Sequence, residues 1–258
     1  MLTLLAESKT MSGEQYPITD LEIGSHTPVL EPMADAIMEF LATKSPPEIA
    51  SKLGISTQLA VKAHTLAYEF PHKLTGYSAL KAFIGEAYRA LDIQTIPAEK
   101  LEKSKDNLRI ISSVYGILKP DDIIKPYRFE FNKNLTQDNK TPIQLFKSKN
   151  TVDLVNFIKG NKISDIIDLL PGEADKCVDW KIIRAFASVH KICFQIITPE
   201  GRLKTPIAKR LKELRGLMYR FILENDVQSF QQLISTESDH FFYSPKDSKP
   251  GLPVFISD

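Results

Sequence analysis

Apolar side chains follow two patterns along the chain. Short stretches at residues 2–5, 108–114, 163–170 and 192–197 are rich in Leu, Ile or Val, which predicts buried strands. Phe255 marks a further strand at the end of the chain. Between these runs the spacing becomes helical. In residues 28–41, Val29, Leu30, Met33, Ile37, Met38 and Leu41 recur on one face, behind a His26-Thr27-Pro28 start. Residues 142–157 and 206–223 predict amphipathic helices, and residues 98–107 a polar one. Residues 79–91 are mixed, because Gly85 interrupts their helical spacing. The polar stretches 132–140 and 244–251 read as surface loops, and Gly201 as a turn. Strands separated by helices predict an α/β or α+β fold, a single mixed-sheet unit over residues 1–258 with surrounding helices.

A helical lobe is expected at about residues 42–78. After Pro46-Pro47, short helices at 48–53 and 57–70 flank the breaker Gly54-Ile55-Ser56. Three readings share this pattern. In a helix-turn-helix, Ser56, Thr57 and Gln58 open a recognition helix. In a helix-hairpin-helix, the Gly54-Ile55-Ser56 turn and the helix start after it hold a phosphate. An ordinary helical hairpin uses the same glycine and cap for structural reasons alone.

Charge narrows the functional classes. The 33 Lys and Arg against 32 Asp and Glu leave a net charge of +1, which excludes a uniformly basic coat for nucleic acid. Any basic surface must be local. Residues 1–50 are acidic, with only Lys9 and Lys44 opposing. Between 202 and 220 the balance reverses: Arg202, Lys204, Lys209, Arg210, Lys212, Arg215 and Arg220 face only Glu213. Helical spacing puts Lys212, Arg215 and Tyr219 on one side, a basic stripe with an aromatic platform suited to a phosphate backbone, or a plain solvated face. Prolines rigidify two further segments, Tyr115 to Pro120 and Lys125 to Glu130, where Lys119, Tyr127 and Arg128 could hold a ligand, Tyr127 by stacking a base and Arg128 by binding phosphate.

Other chemistries lack support. The histidines, at 26, 64, 72, 190 and 240, form no pair at one-turn spacing, and Cys177 and Cys193 form no short motif, so neither a metal nor a cofactor is expected. Phosphate-loop, dinucleotide and serine-elbow motifs do not occur. The opening Met1-Leu-Thr-Leu-Leu runs at once into Ala6-Glu7-Ser8-Lys9, unlike a secretory leader, and no apolar stretch reaches spanning length. A reducing cytoplasm, with no membrane partner, is the expected setting.

Several blocks together resemble the YaaA family of bacterial peroxide-stress proteins: residues 4–11 (Leu-Leu-Ala-Glu-Ser-Lys-Thr-Met), 83–88 (Phe-Ile-Gly-Glu-Ala-Tyr), 108–120, Lys125-Pro126-Tyr127-Arg128, and Arg215-Gly216-Leu217-Met218. The resemblance spans nearly the whole chain. It implies a cytoplasmic protein associated with lowering free iron under hydrogen peroxide, with a mixed α/β fold, a positively charged cleft and a helix-hairpin-helix-like element implicated in DNA binding. The positions it carries over are Lys9 and Thr10; Gly85, Glu86 and Tyr88; Tyr115, Gly116, Lys119, Pro120, Pro126, Tyr127 and Arg128; and Arg215 and Gly216. The chain looks like a divergent member. A family proline is missing at or beside Glu7, Asp168-Leu169-Leu170-Pro171 replaces an Asn-Leu-Ala-Ser strand end, Ala174 replaces a tyrosine while Glu173 and Lys176 are kept, and a basic pair is reduced to Lys212-Glu213.

Two functions follow. In the first, DNA, double-stranded or distorted, is bound through phosphates by Gly54, Ile55, Ser56, Lys119, Tyr127, Arg128, Lys212 and Arg215. In the second, an enzyme acts on a nucleotide or nucleobase-like small molecule, with Lys9, Glu86, Glu173 and Lys176 as candidate catalytic groups beside Tyr127 and Arg128; Glu86 or Glu173 moves a proton and the cations steady an anion.

Overall fold

The computed structural model describes residues 1–12, 26–73 and 76–257. Its strands, in chain order, are β1 (Leu2–Ala6), β2 (Tyr77–Ser78), β3 (Leu108–Ser112), β4 (Gly116–Leu118), β5 (Ile123–Ile124), β6 (Asp165–Asp168), β7 (Ser188–Lys191), β8 (Cys193–Ile197), β9 (Leu203–Lys204), β10 (Phe242–Tyr243) and β11 (Val254–Ser257). Its helices are α1 (Glu31–Ala42), α2 (Pro46–Leu53), α3 (Thr57–Glu69), α4 (Ala79–Ala82), α5 (Glu86–Leu91), α6 (Ala98–Asn107), α7 (Pro142–Gly160), α8 (Gly172–Asp175), α9 (Trp180–Ile183), α10 (Ala208–Glu224) and α11 (Phe230–Ser235).

The apolar runs build the central sheet, ordered β4-β3-β1-β6-β7. β3, β1, β6 and β7 are parallel, and β4 returns antiparallel on β3. Apolar residues occupy both faces of β1, β3 and β6 because both faces are covered, as parallel sheets require. Leu2, Leu4, Ile111 and Ile166 face one apolar cluster, with Leu154 and Ile158 of α7. Leu5, Ile110 and Ile167 face the other, with α1, α3 and α10. Side chains thus alternate between two cores with the period of the pleat. A second sheet, β10-β11-β8-β9, packs Phe194 and Phe255 into the larger core.

The fold is the expected mixed α/β arrangement. β4 and β7 lie where the pattern predicted no strand. β4 sits inside the segment between Tyr115 and Pro120 that reads as a rigid polar loop; it is buried instead, entered through Gly116 at φ +74°. β7 is an edge strand of sequence Ser-Val-His-Lys, whose His190 pairs with Asp165 at 2.9 Å. One paired edge needs little apolar surface, so its sequence carries little signal.

The α2–α3 hairpin is present, closed by Gly54 in the left-handed region. Ile49, Leu53, Ala60, Ala63 and Ala67 belong to the same core as the sheet. Residues 74 and 75 of the expected lobe lie outside the described residues. Among the described residues no helix is long and apolar enough to cross a membrane.

Candidate functional site: a cleft at the strand ends

From β1 the chain crosses to β3 on one side and later places β6 on the other. Such a switch point opens a crevice at the carboxyl ends of the strands, where α/β sheets hold ligands. Here a cavity of about 670 Å³ is lined by Glu7, Ser8, Lys9 and Thr10 after β1, by Leu169, Pro171, Gly172 and Glu173 after β6, and by Lys176. Gly85, Glu86, Ala87 and Tyr88 close a third side, and Lys212 and Arg215 of α10 a fourth.

Two close approaches set these walls. α10 lies against α5 so tightly that a Cβ on Gly216 would stand 1.9 Å from the Ala87 carbonyl oxygen. A Cβ on Gly85 would lie 2.1 Å from Ser8 Oγ. The Tyr88 hydroxyl donates to the Ala6 carbonyl at 2.9 Å, tying α5 to the end of β1.

Glu7, which sequence spacing did not single out, is the most elaborately held side chain of the cleft. Its Oε1 accepts from Ser113 Oγ at 2.6 Å, and its Oε2 accepts from the Ser113 amide at 2.7 Å and from the Tyr127 hydroxyl. Burial pushes its carboxyl up to about 6, against the opposing pull of these hydrogen bonds. Burial, and then the Glu7 charge, raises the Tyr127 and Tyr88 hydroxyls well above their ordinary value. The available signal for Glu7 was its place directly after a buried central strand.

The cations divide into two sets. Lys9 Nζ pairs with Glu130 Oε2; Arg128 reaches Glu130 Oε1 at 3.5 Å and donates to the Lys9 carbonyl at 3.1 Å. By contrast Lys176, Lys212 and Arg215 have no hydrogen-bond or ion-pair partner among the described residues. Desolvation lowers the Arg215 guanidinium and the Asp168 charge opposes it. Asp168, pushed up to about 6 by burial, is held by Lys191 at 3.1 Å and by the Leu170 amide at 2.9 Å. On the acidic side, Glu86 pairs with Arg89, and Asn132 donates to Glu173 at 2.9 Å. Among the described residues no group of three His, Cys, Asp or Glu side chains is arranged to hold a metal ion.

Lys9, Glu86, Glu173, Lys176, Lys212 and Arg215, scattered in sequence, therefore line one cavity. Other candidates lie elsewhere. Lys119 follows β4, whose register sets Leu118 opposite Ile110, so it sits level with Arg109 toward the opposite end of the sheet. Tyr127 is 4% exposed and packs against Tyr115 and Phe83, so its ring is not free to stack a base. Tyr219 is fully buried, its hydroxyl donating to Asn107 at 2.7 Å, because α10 is wedged against α5 and α6; the basic stripe has no aromatic platform. In the hairpin, the Gly54 and Ile55 amides both return to the Ala50 carbonyl and Ser56 Oγ accepts from the Leu59 amide.

A family model described as "Peroxide stress protein YaaA" matches residues 1–247. The chain belongs to the YaaA family. Similar curated proteins carry the name UPF0246 protein: one from Shewanella denitrificans is 33% identical, one from Shewanella oneidensis 31% and one from Shewanella halifaxensis 30%, each match covering 100% of this chain and 99% of the relative. In this YaaA-family member three of the resembling blocks contribute to the cleft, whereas 108–120 and 125–128 do not line it. Residues 4–11 end β1 and form its lip, Gly85 and Glu86 open α5, and Arg215-Gly216 places a cation beside the helix contact. Of the divergent positions, Glu7, Leu169 and Pro171 line the cleft. Pro171 precedes α8, Ala174 is fully buried within it, and Glu213 binds Arg210 at 3.5 Å and Lys209 at 3.9 Å.

Proposed function

We propose that this protein binds DNA, double-stranded or distorted, through phosphates along the strand-end cleft, as its part in a cytoplasmic peroxide-stress response. The observation that carries this reading is the gathering of Lys176, Lys212 and Arg215 at one mouth without partners among the described residues, in a chain of net charge +1. Like charges repel, and a polyanion is the natural ligand that relieves them. Phosphate contacts position a duplex without reading it, so sequence preference should be weak. A lowered level of free iron then follows downstream of DNA binding. The hairpin turn is the less favoured holder of phosphate, since its Gly54 and Ile55 amides are already used.

A second reading, an enzyme acting on a nucleotide-like small molecule, is favoured by the enclosure of the cavity and the Glu7 carboxylate in its wall. Glu86 and Glu173 at the rim are then the further proton carriers.

Anisotropy of labelled duplex against salt concentration tests the first reading. Affinity should fall steeply, and the Lys212→Ala/Arg215→Gln variant should flatten the slope of log K against log salt by about two, close to one per lost contact. A salt-independent isotherm, or no binding at about 50 mM salt, removes the DNA reading and leaves the small-molecule one.

A further inference from the structure

We infer that the cavity beneath the cationic mouth receives one nucleobase turned out of the bound DNA, with Glu7 accepting an N–H from the edge of that base. The inference rests on the phosphate-binding reading above and adds what the recess is for.

Cations at the mouth would hold the backbone directly over the cavity, whose volume of about 670 Å³ exceeds what phosphate contacts require. Its walls include Leu5, Ala6, Phe131 and Leu169, apolar surfaces suited to the two faces of a planar ring. A recess with apolar walls adds nothing to a surface that only tracks phosphates. Enzymes and binding proteins that take a base from the stack read it by apolar or aromatic contact on its faces and by hydrogen bonds on its Watson–Crick edge.

The hydrogen-bond count at Glu7 supplies the edge contact. An ionised carboxylate offers about four acceptor positions. Three are taken, by the Ser113 amide, Ser113 Oγ and the Tyr127 hydroxyl, and these leave one on Oε1. The donors behind it are fixed in direction. Ser112 Oγ accepts the Val114 and Tyr115 amides at 3.1 and 3.0 Å, so its own proton goes to the Tyr127 oxygen at 2.7 Å, and Tyr127 gives its proton to Glu7. The chain of donors ends on Glu7, which remains an acceptor. Its partner must bring a hydrogen-bond donor, and the Watson–Crick edge of every standard base carries an N–H. Because eversion is easiest for a mismatched base, the cleft should favour distorted DNA over perfect duplex.

The test uses a duplex with one mismatched 2-aminopurine, a base that carries an exocyclic amine and brightens when unstacked, and follows anisotropy and 2-aminopurine fluorescence on the same samples. The wild-type protein should raise the fluorescence several-fold at saturation. Gly172 lies on the cavity wall with no atom within 4 Å of an added Cβ, so Gly172→Phe adds a ring at the wall without a clash at its Cβ. That variant should keep its salt-dependent affinity within about threefold and lose more than half of the fluorescence rise. Glu7→Gln, compared at saturation, should also lose most of the rise. Binding by the wild type without a rise overturns the base pocket and leaves the phosphate reading standing. A full rise in both variants places the everted base elsewhere and overturns it equally. No binding at all removes both readings.

Discussion

Gly216→Ala probes the contact that sets the width of the cleft. The new Cβ would stand 1.9 Å from the Ala87 carbonyl oxygen, against an ordinary contact starting at 3.4 Å, so α10 and α5 must part by about 1.5 Å. The obstructing atom is backbone and cannot rotate away. Overpacking of this kind costs about 3 kcal/mol, and the better helix propensity of alanine offsets about 1 kcal/mol of it. The net loss of about 2 kcal/mol corresponds to a fall in melting temperature of about 4–8 °C for a chain of this size. Thermal unfolding followed by circular dichroism measures it. Gly160→Ala at the end of α7, where nothing lies within 4 Å, is the matched control and should be neutral or slightly stabilising. Lys212 and Arg215 ride on α10, so DNA affinity should fall with the melting temperature. A Gly216→Ala protein that melts at or above the wild type refutes the close-contact argument.

Two further outcomes follow. The folded-state pKa of Glu7, about 6, lies above its ordinary 4.5, so the folded protein holds this proton more tightly and is destabilised as pH rises from about 4.5 through 6. Relative to Glu7→Gln, which cannot titrate, wild-type unfolding free energy in urea should drop by about 2 kcal/mol between about pH 4 and pH 7; a flat or rising difference contradicts the assignment. Cys177 is fully buried, with its thiol pushed up to about 12, so native protein exposed to hydrogen peroxide at neutral pH should keep Cys177 reduced by mass spectrometry, and rapid sulfenate formation there would show the site to be open.

The central strands were legible because burial on both faces leaves stretches dense in large apolar residues: residues 2–5 cover all of β1 but Ala6, and residues 163–170 contain β6. The helix at 98–107 was legible to the residue, since Pro97 precedes it and Leu108 begins an apolar strand. β4 was hidden because tyrosine, glycine and proline around it look like loop chemistry, and burial of that segment is a tertiary property. The cleft was half legible. Cations and carboxylates could be named, yet which of them remain unpaired depends on contacts over long separations, such as Lys9 with Glu130. Tyr127 and Tyr219 were misjudged for one reason: an amphipathic ring suits a surface or a core, and only packing decides. Glu7 was missed because its burial, which raises its carboxyl, and its partners Ser113 and Tyr127, more than a hundred residues away, are tertiary properties.

The central claim, that phosphates are held at the strand-end cleft, is tested most directly by two variants that each remove two lysines. Lys176→Ala/Lys212→Ala strips the mouth of the cleft, whereas Lys52→Ala/Lys62→Ala strips exposed positions on the α2–α3 hairpin. Salt-titrated anisotropy on one labelled duplex should give a slope lower by about two for the first variant and an unchanged slope for the second. Equal losses in both would reduce the effect to net charge, and a loss confined to the hairpin variant would move the phosphates to the Gly54 turn and contradict the account.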